Sequence, residues 1–161
     1  MNIFEFAMKM EKDGELFYRE MVKKTTNKNL KALLTLLADD EVKHYNLLNL
    51  MNSQQNPELV ETHVLRETKN IFQKMYEDDK VQAFDFQEHK MFEKALEAEE
   101  MSEDFYTQKA SETGIPYQKS IFLGLADEEK KHQILLENLQ EFLETPENYI
   151  ENAEFNKLFP F

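Results

Sequence analysis

The sequence predicts an all-α protein, a four-helix bundle of two helical hairpins joined by a long helical crossover. Three observations predict it. The 161 residues include only three Gly and four Pro, while Glu, Lys, Leu, Met, Gln and Phe dominate; this is too little punctuation for a β protein, and most of these residues favour helices. Apolar residues recur at spacings of three and four along several long stretches. The chain also repeats itself at an offset of 88 residues: 17 of 45 positions are identical between 4–48 and 92–136, with no gap.

The first helix is expected over 2–26. Asn2 is its N-cap and Glu5, three residues on, closes a capping box. Its apolar stripe is Ile3, Ala7, Met10, Gly14, Phe17 and Met21, and Thr25, Thr26 and Asn27 break it. A second helix follows over 28–52 with Leu30, Leu33, Leu34, Leu37, Val42, Leu47, Leu48 and Met51 apolar. The short loop makes the two an antiparallel hairpin. Residues 53–85 form the crossover, opened by the break SQQNP. Its stretch 58–78 has helical periodicity in Leu59, Val64, Leu65, Ile71, Phe72 and Met75 but no counterpart in the repeat. A third bundle helix spans 86–113 and ends at Gly114. Pro116 suits the first turn of a fourth, which runs to about 144. The tail 146–161 carries Tyr149, Ile150, Phe155, Leu158, Phe159 and Phe161; such an apolar tail is expected to pack on the bundle. The whole, 1–161, reads as one domain.

The formal charge is −13. That sign argues against nucleic acid and anionic lipid surfaces as partners, and no apolar run reaches the length of a membrane span. Cysteine is absent, which excludes disulfides, zinc ribbons, iron–sulfur clusters and thiol nucleophiles. Its absence is compatible with a reducing cytoplasm. The opening residues MNIFEFAMKMEKDGE carry acids where a signal peptide needs an apolar run, so a cytoplasmic location is expected.

The repeat carries metal-ligand residues. Glu11, Tyr18, Glu41 and His44 recur as Glu99, Tyr106, Glu129 and His132. Residues seven apart on a helix lie within about 20° of one line, and residues three apart share a face. Each Glu and each Glu-x-x-His therefore falls on a core stripe. Four carboxylates facing one core are prohibitive unless protonated or paired. Two divalent cations balance the four charges, and the histidines bind neutral. A Glu from each of two helices with a Glu-x-x-His from each of two others is the ligand set of a carboxylate-bridged two-metal centre. Oxygen ligands with a minority of imidazole suit iron or manganese, and zinc can substitute.

Four further sets belong to the reading. Tyr18 and Tyr106 are candidates for hydrogen-bonding a ligand glutamate, or for plain packing. Glu15 and Glu103 are expected to be helix-surface acids. Asp39 and Asp127 are candidates for taking the outer N–H of a ligand histidine. His63 and His89 have no repeat partner and are expected to be ordinary surface or core residues.

EKDGELFY followed by DDEVKH, and EEMSEDFY followed by DEEKKH, resemble the two half-sites of rubrerythrin-type ferritin-like proteins, over residues 4 to about 145. The resemblance implies a ferritin-like four-helix bundle with a di-iron site whose ligands are Glu11, Glu41, His44, Glu99, Glu129 and His132. It also implies a homodimer. Rubrerythrins proper carry cysteines that hold an electron-transfer iron; with none here, the expected electron source is a separate donor protein. They also have a further ligand Glu three residues after the first Glu of the third helix, where this sequence has Ser102.

The leading functional expectation is a di-iron oxidoreductase that reduces peroxide or O₂, since two irons can deliver two electrons to an O–O bond. The 13 Phe are available to exclude water from such a centre. A ferroxidase or other iron-handling protein uses the same ligands. A non-enzymatic, metal-stabilised interaction module is the third reading.

Overall fold

Capping side chains start the first two helices where the sequence predicts. The computed structural model describes residues 1–59, 64–77 and 86–144. Asn2 accepts from the Glu5 backbone N–H at 2.9 Å while Glu5 accepts from the Asn2 N–H at 3.2 Å, and helix α1 (Ile3–Lys24) begins there. Asn27 accepts from the N–H groups of Asn29 and Leu30, each at 3.0 Å, and opens α2 (Lys28–Asn52). Each cap satisfies donors that the helix itself leaves without partners. The remaining helices are α3 (Val64–Glu77), α4 (Phe86–Glu112) and α5 (Pro116–Glu144). Pro116 takes the first helical position of α5, where its missing N–H costs nothing.

α1 packs on α2 and α4 packs on α5, giving the two hairpins; α1 also meets α4, and α3 lies against α2 and α5. The fold is all-α and ferritin-like in its hairpin–crossover–hairpin order. Within the crossover, Val64, Phe72 and Met75 are buried and Leu65 and Ile71 half-buried. Leu59 precedes the helix but still packs on the core. The ends of the crossover at 60–63 and 78–85, His63, and the tail 146–161 with its expected packing lie outside the described residues.

The core has two apolar clusters with a polar layer between them. One contains Tyr18, Leu34, Leu37, Phe72, Leu139 and Phe142, with the rings of Phe72 and Phe142 stacked at 5.0 Å. The other contains Ala7, Leu48, Met51, Tyr106, Phe122 and Leu125, with Phe122 stacked on Tyr106. The stripe expected on α1 is shifted. Its buried residues are Ala7, Glu11, Tyr18 and Met21, while Ile3 is exposed and Met10 and Phe17 are half-buried. A purely apolar stripe misses this line because two of its central positions are a carboxylate and a phenol.

Candidate metal centre

All six residues singled out by the repeat lie in the polar layer: Glu11 on α1, Glu41 and His44 on α2, Glu99 on α4, Glu129 and His132 on α5. None exposes more than 4% of its surface. They form two overlapping groups. Glu11, Glu41, His44 and Glu129 offer ligand atoms within 4.8 Å of one another, and so do Glu41, Glu99, Glu129 and His132. Glu41 and Glu129 belong to both. Each group adds one unshared glutamate and one histidine, so the duplicated motif yields two like half-sites bridged by two carboxylates.

The Nδ1 atoms of both imidazoles point into the layer. His44 Nδ1 lies 3.4 Å from Glu11 Oε2 and 3.3 Å from Glu129 Oε1. His132 Nδ1 lies 3.1 Å from Glu41 Oε1, 3.1 Å from Glu99 Oε1 and 3.8 Å from Glu129 Oε2. Glu129 thus turns one oxygen toward each histidine. The two rings are 5.8 Å apart and nearly parallel.

The electrostatics separate the shared acids from the unshared ones. Burial, then repulsion from Glu11 and Glu99, pushes the carboxyls of Glu41 and Glu129 well above the usual range. Burial would raise Glu11 and Glu99 as well, but the adjacent His44 and His132 outweigh it. Glu11 falls below its usual value and Glu99 falls to about 2. Burial also works against a charged His132, yet Glu99 and Asp40 hold its pKa well above the ordinary histidine value. Protein charges alone therefore cannot ionise all four carboxylates.

The donor set fits a pair of divalent cations. Among the described residues, the fully buried side-chain atoms without a hydrogen-bond partner are Glu11 Oε2, Glu41 Oε1, both nitrogens of His44 and both oxygens of Glu129. All belong to the six cluster residues, and all but His44 Nε2, the nitrogen turned away from the layer, are placed to ligate a metal there. Among the described residues the other fully buried side-chain polar atoms are paired, as folding requires.

The tyrosines cross between the half-sites. Tyr18 on α1 donates to Glu99 Oε1 on α4, and Tyr106 on α4 donates to Glu11 Oε1 on α1. Both phenols are buried, and burial followed by the nearby carboxylates raises their pKa well above 10.0. They stay protonated and act as fixed donors that orient the unshared glutamates.

The acid that reaches a histidine is Asp40, one residue after the expected Asp39. Asp40 Oδ2 lies 3.0 Å from His132 Nε2, while Asp39 is exposed and pairs with Arg19 at 3.0 Å. Asp127 is also exposed, with Lys131 at 3.7 Å. The reason is helix phase: a residue directly before the ligand Glu turns inward, and one two before it turns out. Asp40 has Glu128 as its counterpart at the 88-residue offset. Glu128 is buried, with Lys131 Nζ 3.6 Å from its Oε2. Matching identical residues passes over this pair; matching acids finds it.

Glu15 is half-buried rather than an open surface acid, and it pairs with Lys12 and Arg19 outside the cluster. Glu103 accepts from the buried Gln133 at 3.0 Å and stays outside the cluster. His89 is partly exposed, 4.0 Å from Glu144. Gly14 lies in the apolar stripe expected on α1, and a Cβ there would sit 2.7 Å from Glu41 Oε2. On a free helix Gly→Ala gains about 1 kcal/mol. Here Gly14→Ala is expected to displace the shared carboxylate and weaken metal binding about tenfold or more. Isothermal titration with Zn²⁺ measures it, and unchanged affinity would show that Glu41 yields without consequence.

A family model, Rubrerythrin, matches residues 2–91 and 90–160, one match for each hairpin. The chain belongs to the rubrerythrin family. No curated protein and no solved structure matches it significantly. Rubrerythrins typically bind a di-iron pair, and the buried Glu/His cluster of this family member is compatible with one. Among the described residues, no helix is long and apolar enough to cross a membrane.

Proposed function

We propose that the chain is a di-iron oxidoreductase that reduces peroxide or O₂. The observation that carries this reading is the cluster of two half-sites sharing Glu41 and Glu129, whose unpartnered buried atoms, His44 Nε2 aside, are placed to ligate a metal. Glu11, Glu41, His44, Glu99, Glu129 and His132 would hold the pair. When bound, two irons supply the two electrons that cleave an O–O bond. Glu11 and Glu99, held by Tyr106 and Tyr18, keep each half-site in place. Asp40 fixes the ring of His132 through Nε2. The shared Glu41 and Glu129, easily protonated without metal, exchange protons for cations on loading. The two apolar clusters exclude bulk water above and below the layer.

The electrons would come from a donor protein, because these 161 residues contain no cysteine to hold a second, electron-transferring iron. Apolar side chains left exposed along α1, namely Ile3, Phe6 and Leu16, favour a homodimer. The same lack of cysteine favours the reducing cytoplasm.

Stopped-flow spectroscopy of the di-ferrous protein tests the reading. Mixing with hydrogen peroxide or O₂ is expected to oxidise the protein faster than free Fe²⁺ under the same conditions. Oxidation no faster than free Fe²⁺ rules the activity out. A ferroxidase or iron-delivery role uses the same ligands, and the charge of −13 favours it by concentrating cations near the surface. It requires turnover of iron beyond two per chain, which iron titration reads directly.

A further inference from the structure

Beside the metal cluster, α1 and α4 leave a cleft of about 300 Å³ between them. Glu41, Glu99 and Tyr18 form its inner end. Its walls are mainly apolar, with Met10 and Phe17 on α1 and Ala98 and Met101 on α4. Met10, Asp13 and Gly14 are the 88-residue counterparts of Ala98, Met101 and Ser102, and all six line the cleft. The cleft therefore straddles the line about which the two hairpins repeat.

A row of small residues alone would not make a binding site. Here the buried carboxylate of Glu41 faces it. Its Oε1 lies 3.1 Å from His132 Nδ1 within the cluster, while its Oε2 lies where a side chain at Gly14 would begin. The side of the metal cluster turned to α1 and α4 thus opens on an apolar space.

The space exceeds what the smallest oxidants need. One water occupies about 30 Å³ of the liquid, and hydrogen peroxide is only slightly larger. Asp13, Lys94 and Ser102 also line the cleft, but its thioether, phenyl and methyl surface offers hydrogen peroxide, polar throughout, no hydrogen bond. Small-molecule sites of roughly 300–1,000 Å³, apolar with a few polar groups at one end, take ligands with an apolar body and a polar head.

We propose that this cleft binds the apolar body of an organic hydroperoxide, with its O–O end at Glu41 and Glu99. The inference rests on the redox reading above and names its substrate class. In the reaction ROOH takes up two electrons and two protons, the O–O bond breaks, and ROH and water are formed. The electrons are those of the reduced, iron-loaded protein and are replaced by the donor protein; the protons come from solvent.

The test has a binding arm and a rate arm. Zinc-loaded protein, which does not turn over, is titrated with 2-phenyl-2-propanol, the alcohol formed from cumene hydroperoxide, and followed by amide NMR. Shifts are expected around residues 10–17 and 95–102, and Ala98→Phe, which fills the cleft from an exposed position on α4, is expected to abolish them. Ser102→Leu serves as a second plug should the first variant fold poorly. In the rate arm, reduced iron-loaded protein is mixed with cumene hydroperoxide or hydrogen peroxide. The plugs are expected to lower the ratio of the two rates by about tenfold or more. Absence of alcohol shifts in the unsubstituted protein, or an unchanged ratio in both variants, overturns the inference while leaving the redox reading intact. Failure of the unsubstituted protein to oxidise with either peroxide overturns both.

Discussion

Glu129→Ala is expected to lose both metals, whereas Glu11→Ala is expected to lose one. The difference follows from the shared position of Glu129. It belongs to both groups of ligand atoms, with Oε1 3.3 Å from His44 Nδ1 and Oε2 3.8 Å from His132 Nδ1. Glu11 belongs to one group only. Removing Glu129 takes a ligand from each half-site and leaves Glu41 as the one carboxylate shared between them. Groups that merely orient a ligand are worth about 10–100-fold in affinity, so loss of a ligand from both half-sites at once should exceed 100-fold. Metal analysis after reconstitution and desalting reads the stoichiometry. Glu129→Gln, which keeps the volume, separates lost charge from a cavity. If Glu129→Ala retains one tight metal, as Glu11→Ala should, then Glu129 serves a single half-site and the bridged arrangement is wrong.

Metal removal is expected to destabilise the protein, and more so as pH rises. The folded, metal-free protein holds protons on Glu41 and Glu129 above the ordinary glutamate value of 4.5. It therefore binds more protons than the unfolded chain there, and stability falls with rising pH. His132 acts in the same direction. Its raised pKa contributes stability that is complete below 6.5 and lost as pH rises through the folded value. Glu11, Glu99 and Asp40 act oppositely: their lowered pKa values give stability present above the usual carboxylate range and lost only in acid, at about 2 for Glu99. Between pH 6 and 8 the first three groups set the slope. Bound cations replace those protons, so binding strengthens with pH. Free metal at a thousandfold over Kd adds about 4 kcal/mol per site, and so for two sites roughly 16–32 °C in Tm for a chain of this size. Calorimetric scans with and without Zn²⁺ at pH 6, 7 and 8 should show the metal-free Tm falling and the gap widening. A metal-free Tm that rises with pH, or a gap that closes, contradicts the assignment of Glu41 and Glu129 as the acids that need the metal.

Much of the fold was legible because three of the helices carry their own start signals. Asn2, Asn27 and Pro116 mark starts, and the repeat places the second hairpin from the first. The six residues of the cluster were legible as a set because buried acids at one offset demand a common explanation. What the sequence concealed depends on the mutual rotation of the hairpins. Nothing in the spacing of Glu11, Glu41, Glu99 and Glu129 says which two are shared; that follows from α1 meeting α4 and from the inward turn of Glu129 between two imidazoles. The tyrosines were found by their repeat, but their partners were not, since Tyr18 reaches across to Glu99 and Tyr106 to Glu11. The repeat does not mark Asp40, because its counterpart is Glu128, an acid but a different one. Gly14 reads in sequence as a gap in an apolar stripe; only the position of Glu41 Oε2 shows why a side chain there would intrude.

The central claim is that one buried layer of this bundle binds two metals bridged by Glu41 and Glu129. Anomalous diffraction at the iron edge, from crystals of iron-reconstituted protein, tests it most directly. Two peaks about 3.5–4 Å apart within the cluster, both in contact with Glu41 and Glu129, are the result expected. A single peak, or iron bound elsewhere with the cluster unoccupied at saturating iron, would contradict it.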